Sequence, residues 1–178
     1  MDVPRPALTA REVLVALGMV VGVNLLGALP AVFFGADTGW FERPPLYPPE
    51  LAFPIAWTIL FSLLGLALFL VWRAGRGANV EGGATTGHGV DVDRRAVRIA
   101  YGAFAGQFAL NLAWTPVFFG LQRTDLGLVV IVALWLAIVV TIWAFDRVDR
   151  RAALLVVPYL AWVSFATYLS TAIHLGWG

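Results

Sequence analysis

Gln107-Phe108-Ala109-Leu110-Asn111-Leu112-Ala113-Trp114-Thr115-Pro116-Val117-Phe118-Phe119 is the stretch on which the reading of this chain turns. It sits inside residues 99–122, a run without Asp, Glu, Lys or Arg that is long enough to cross a bilayer. Yet it carries two side-chain carboxamides, and hydrocarbon offers them no hydrogen bond, so each needs a partner. At about 100° per residue on a helix, Gln107, Asn111, Trp114 and Phe118 fall within a sector of roughly 60°. Gly102, Gly106, Ala109 and Ala113 fall within a similar sector about opposite. One helix therefore presents a polar-aromatic face and a small-residue face.

Four more uncharged runs flank it, at 13–36, 51–72, 126–145 and 152–178. Each reaches the ~20 residues that span ~30 Å of hydrocarbon. The chain is 60% hydrophobic and 13% charged, with a mean hydropathy of +0.82, whereas a soluble domain is roughly 25% charged. These features predict an all-α membrane protein, a single five-transmembrane-helix bundle over residues 1–178, with helices near 12–34, 50–73, 95–120, 126–146 and 152–175. A Pro-rich outer loop fills 35–49 and a Gly-rich cytoplasmic linker fills 74–93. The first run is too long for the ~7–15-residue apolar core of a signal peptide and is read as a retained helix. No internal repeat is evident, which argues against an inverted-repeat transporter.

All twelve basic residues are arginines. Arg5, Arg11, Arg73, Arg76, Arg94, Arg95, Arg98, Arg147, Arg150 and Arg151 fall on the side of the N-terminus, and Arg43 and Arg123 on the other. The positive-inside rule then predicts a cytoplasmic N-terminus and an extracytoplasmic C-terminus. A net charge of +1 argues against a nucleic-acid partner. The absence of cysteine excludes disulfides and thiolate chemistry.

Along the chain, Gly18-x-x-x-Gly22 and Gly27 in the first helix are expected to pack inside the bundle, with a dimer seam as the alternative. Asn24, in mid-membrane, is expected to face a neighbouring helix or a cavity. Four prolines within residues 44–49 stiffen the outer loop, which also carries Trp40, Phe41 and Tyr47. These aromatics suit a lid over the bundle or anchors at the membrane interface. Trp57 and Phe61 share one face of the second helix. The fourth helix, nearly devoid of polar atoms, is expected to be mainly lipid-facing. His88 is read as a solvated linker residue and His174 as an interfacial one, and no metal site is expected.

The topology places Trp57, Asn111 and Trp114 roughly 9–13 Å below the outer surface, and Trp162 at ~15–20 Å. An indole this deep needs either a partner for its N–H or a cavity to face. Three such indoles beside Gln107 and Asn111 describe a site for a flat, mainly apolar molecule with a few polar edges, aromatic core packing being the alternative. Enzyme signals are thin. The spans hold no Asp or Glu, and the chain shows neither a Ser/His/acid set nor a phosphate-cradling Gly loop before a helix. No cofactor is expected.

Several stretches, in order, resemble the TspO/MBR (tryptophan-rich sensory protein) family, which includes the mitochondrial translocator protein. Glu42-Arg43-Pro44-Pro45-Leu46-Tyr47-Pro48-Pro49 looks like the family's first loop, with Trp57 following at the family's spacing. Asn111-Leu112-Ala113-Trp114-Thr115-Pro116-Val117-Phe118-Phe119-Gly120 looks like its third-helix signature, and Pro158-Tyr159-Leu160-Ala161-Trp162 with Phe165-Ala166-Thr167 like its fifth. The resemblance implies a five-helix bundle, often dimeric, that binds porphyrins, related tetrapyrroles and sterols under the first loop. It implies Trp57, Phe61, Asn111, Trp114, Trp162, Phe165 and Ala166 as lining residues. It also implies light-dependent porphyrin breakdown through a loop Trp and Trp162 as an enzymatic alternative to binding, sensing or transport.

Three positions depart from the family pattern. Ungapped alignment puts Asp37 at the loop Trp, so Trp40 takes that role only if three residues are missing. Thr171 stands where the sterol motif has Tyr, with no basic residue after Arg151. The 74–93 linker is longer than the family's. A scaffold without ligand is the remaining alternative. The small face of the third helix predicts either a homodimer through Gly102, Gly106, Ala109 and Ala113 or packing within the monomer.

Overall fold

The computed structural model describes residues 8–35, 37–80 and 93–177. Five helices follow one another: α1 (Ala10–Phe34), α2 (Ala52–Val80), α3 (Arg94–Thr115), α4 (Thr124–Asp146) and α5 (Arg150–Leu175). No strand occurs among the described residues. Four of the five are long and apolar enough to cross a membrane on their own. In contrast, α3 opens with Arg94, Arg95 and Arg98 and gains its outer length from a π-helical turn, Pro116–Gly120. The chain is an integral membrane protein built as a five-helix bundle.

Helix ends follow local chemistry. Thr9 and Glu12 form a reciprocal capping box at the start of α1. Asp93 and Asp149 cap α3 and α5 by accepting from the amides of Arg95 and Arg151, at 2.8 and 2.7 Å. Gly176 ends α5 in the left-handed region at φ 68°. Glu12 also pairs with Arg73 at 2.9 Å, tying the start of α1 to the far part of α2.

The core is an interleaved set of apolar side chains from all five helices, including Leu64, Ala67, Val71, Ala100, Ile138, Phe145, Ala152 and Val156. Helix α4 supplies Ile131, Leu134, Ile138, Thr141 and Phe145, a stripe at helical spacing that is almost fully buried. The other side of α4, with Leu126, Val129, Val132, Leu136, Val140 and Trp143, is exposed, so the expected lipid-facing surface is present and this inward stripe is added to it. The peripheral helix is α1, whose Leu14, Leu17, Val21, Leu25, Val32 and Phe33 are exposed. Composition could not separate the two, because lipid and protein core are equally apolar.

Two expectations change. Gly18 and Gly22 have open space where a side chain would stand, so they do not pack inside the bundle. The close approach of α1 to α2 is made instead by Gly65, where an added β-carbon would come within 2.6 Å of the Val20 backbone, and by Gly27 against the Phe61 ring. Asn24 bridges the same pair, donating to the Val20 carbonyl at 2.9 Å and to Ser62 Oγ at 3.2 Å. Helix α2 runs to Val80, seven residues past its expected end at 73. The rest of the expected linker, His88 included, lies outside the described residues apart from Asp93.

Candidate functional site

The two carboxamides of α3 lie one turn apart and meet different fates. Asn111 is 7% exposed and donates from Nδ2 to the Tyr159 hydroxyl at 2.8 Å. Tyr159, fully buried on α5, also sets its ring edgewise against Trp57 with centroids 6.0 Å apart. Trp57 in turn lies 5.1 Å from Phe61, and Phe61 meets Phe108 at 6.0 Å. Gln107 is fully buried, and neither its Nε2 nor its Oε1 has a hydrogen-bond partner among the described residues.

Toward the loop, the same face of α3 becomes aromatic. Trp114 stacks on Phe118 at 4.9 Å, and Trp40 and Phe41 of the loop close on Phe118 at 5.4 and 5.9 Å. The indole nitrogens of Trp40 and Trp114 are buried without a partner among the described residues, like the Gln107 amide. Phe118 is held in place by the π-helical turn. Proline at the turn's first position has no N–H to give, and the Leu121 amide reaches back to the Pro116 carbonyl at 2.9 Å. Gly127 on α4 is also required, since a β-carbon there would meet the Phe118 ring at 2.7 Å.

Trp162 and Phe165 form a separate edge. Trp162 is half-buried, 6.0 Å from Phe53 and 5.8 Å from Phe165. Phe53 reaches Tyr47 at 5.5 Å, and Tyr47 reaches Phe41 at 6.1 Å. An unbroken line of ring contacts therefore runs from Trp114 through Phe118, Phe41, Tyr47 and Phe53 to Trp162. Ala166 packs half-buried against the core. The roof is fixed by the Arg43–Glu50 ion pair, by buried Pro44, and by the Tyr168 hydroxyl donating to the Pro45 carbonyl at 3.4 Å. Burial raises the Tyr47 phenol above its ordinary range, so it stays a neutral donor. Among the described residues no three His, Cys, Asp or Glu come together. The chemistry here is that of indoles, a phenol and carboxamides.

With this geometry in place, the comparison with known proteins becomes specific: the TspO/MBR family profile matches residues 15–175. This chain belongs to the TspO/MBR family. It is 38% identical to the tryptophan-rich protein TspO of Chlorobaculum tepidum over 165 residues, covering 90% of this chain and 94% of that one. It is 37% identical to the tryptophan-rich sensory protein of Cereibacter sphaeroides over 142 residues, 78% of this chain and 77% of that one. The human translocator protein is 32% identical over 149 residues, with 80% and 79% covered.

Against the TspO/MBR pattern, the two loop positions differ in where they sit. Asp37 is exposed and accepts from the Gly39 amide at 2.9 Å, whereas Trp40 folds onto the bundle. Thr171, in place of the sterol-motif Tyr, donates back to the Thr167 carbonyl at 2.8 Å. Tyr159 and Phe118 are the central contacts that sequence reasoning did not single out as lining residues. The signal for Tyr159 was present, since a mid-span phenol needs a hydrogen-bond partner. On the opposite face of α3, Gly102, Gly106 and Ala109 are exposed and Ala113 half-buried, with open space above both glycines. Among the described residues nothing packs over Gly102 or Gly106.

Proposed function

We propose that this TspO/MBR protein binds a flat, mainly apolar tetrapyrrole such as a porphyrin under its first loop, for sensing, regulation or transport. The observation that carries this reading is the set of buried polar atoms left without partners among the described residues: Trp40 Nε1, Trp114 Nε1 and both ends of Gln107. An unsatisfied buried polar group costs roughly 1–3 kcal/mol, and here all of them belong to one face of α3 and its loop roof. A ligand with an aromatic plane and a few polar edges would satisfy them. Trp57, Phe61, Asn111, Trp162, Phe165 and Ala166 extend the same lining.

The test is saturable quenching of tryptophan fluorescence by protoporphyrin in detergent, repeated on Trp162→Ala and Asn111→Ala. Weakened binding in both supports the site, and unchanged affinity in both removes it. A second reading, light- and oxygen-driven porphyrin breakdown, draws on the inward fold of Trp40. It requires that illuminated protein bleach the porphyrin band and that Trp162→Phe abolish the bleaching. The arginine asymmetry supports a cytoplasmic N-terminus. The open small-residue face of α3 supports a homodimer through Gly102, Gly106, Ala109 and Ala113.

A further inference from the structure

The opposite end of the bundle carries a second feature that the aromatic region does not explain. Between the first turn of α3 and the last turn of α4 lies a cleft of about 410 Å³, lined by Asp93, Arg95, Ile99, Trp143 and Arg147 with two alanines. The Arg147 guanidinium lies over the Trp143 ring, 3.7 Å from its centroid, which holds the charge at the level of the indole. Arg95 forms no side-chain hydrogen bond or ion pair among the described residues. Asp93, the one acid in the lining, has an oxygen committed to capping α3 through the Arg95 amide. Arg94, Arg98, Arg150 and Arg151 stand close by in the chain against Asp146 and Asp149, and Asp149 is itself a helix cap. The rim is cationic.

Below the rim both walls turn apolar. On α4, Arg147, Trp143, Val140 and Leu136 recur at helical spacing on one face, and Trp143, Val140 and Leu136 are 48%, 50% and 55% exposed. On α3, Arg95 and Ile99 repeat the pattern, with Ile99 39% exposed. Each wall is a cation at the membrane edge followed by apolar side chains running inward. A soluble anion would leave the apolar walls unused, and a zwitterionic head group brings a cation that two guanidiniums repel. An amphiphile with a net negative head uses both parts.

We infer that this cleft is a binding site for an anionic phospholipid. Its phosphate lies between Arg95 and Arg147, where guanidinium forks suit phosphate oxygens, and its acyl chain follows Ile99, Trp143 and Val140. The site is independent of the aromatic face under the loop.

Native mass spectrometry of the full chain, offered phosphatidylglycerol, phosphatidylcholine or inorganic phosphate, tests it. One phosphatidylglycerol should be retained per chain in preference to phosphatidylcholine. Arg95→Gln and Arg147→Gln should each weaken this about fivefold, and the pair together about thirtyfold. Arg123→Gln, at the other end of the bundle, should leave it unchanged. Trp143→Ala keeps both charges and should still lower retention, which guards against a folding defect in the arginine variants. Equal retention of the two lipids, undiminished retention in the double variant, or displacement by inorganic phosphate would each overturn the inference.

Discussion

The two ends of this bundle are built on opposite principles. At the arginine end, small and aliphatic side chains such as Ala67, Val71, Ala100, Ala144, Ala152 and Val156 fill the interior with little or no exposure. At the loop end, Trp40, Trp114 and Phe118 meet ring to ring, and buried nitrogens of Trp40 and Trp114 lack partners among the described residues. Close packing makes an interior stable, whereas unsatisfied polarity makes it receptive. The difference teaches where stability and ligand capture reside, and substitutions can separate them.

The largest effect is expected where packing is tightest. Gly65→Leu forces α1 off α2 at the Val20 backbone, and overpacking of this kind costs about 3 kcal/mol or more. A thermal melt in detergent should show the loss, and an unchanged melting temperature would contradict the close approach. Next comes the ligand side, where Trp162→Ala should weaken porphyrin binding at least about tenfold while shifting the melt little.

The two carboxamides of α3 give the sharpest contrast. Tyr159→Phe strands Asn111 and should destabilise the unliganded protein by about 1–2 kcal/mol. Gln107→Leu removes a group that already has no partner, so the unliganded protein should melt at the same temperature or higher, while porphyrin affinity falls. If Gln107→Leu destabilises instead, the carboxamide has a structural role and the receptive end is smaller than described. The smallest effect on stability is expected at Gly106→Leu, which points into open space. It should leave the monomer's melt unchanged and shift oligomer size in gel filtration if α3 forms a dimer seam.

Much of the fold was legible because hydrocarbon imposes length and charge rules that a sequence states openly. Five uncharged runs named five helices. What stayed hidden was which helix faces lipid. A stripe such as Ile131, Leu134 and Ile138 reads the same against protein as against acyl chains, so the inward face of α4 stayed hidden and α1 was overrated. The glycine contacts were equally opaque, since Gly18-x-x-x-Gly22 carries the better motif and Gly65 makes the contact. In the candidate site, Asn111, Trp114 and Trp57 announced themselves by being polar or aromatic at depth. Helical spacing put Phe118 on that same face, but its contacts with Trp40 and Phe41 stayed hidden because they depend on an irregular turn and on the path of the loop.

That turn has a consequence for how the chain tolerates change. Residues 116–120 wind with a surplus residue, so the direction of Phe118 depends on chain count as well as on side-chain identity. Deleting Val117, which lies between α3 and that ring, would restore ordinary winding and swing the phenyl ring out from beneath Trp40, unfastening the loop while every aromatic residue of the site stays in the chain.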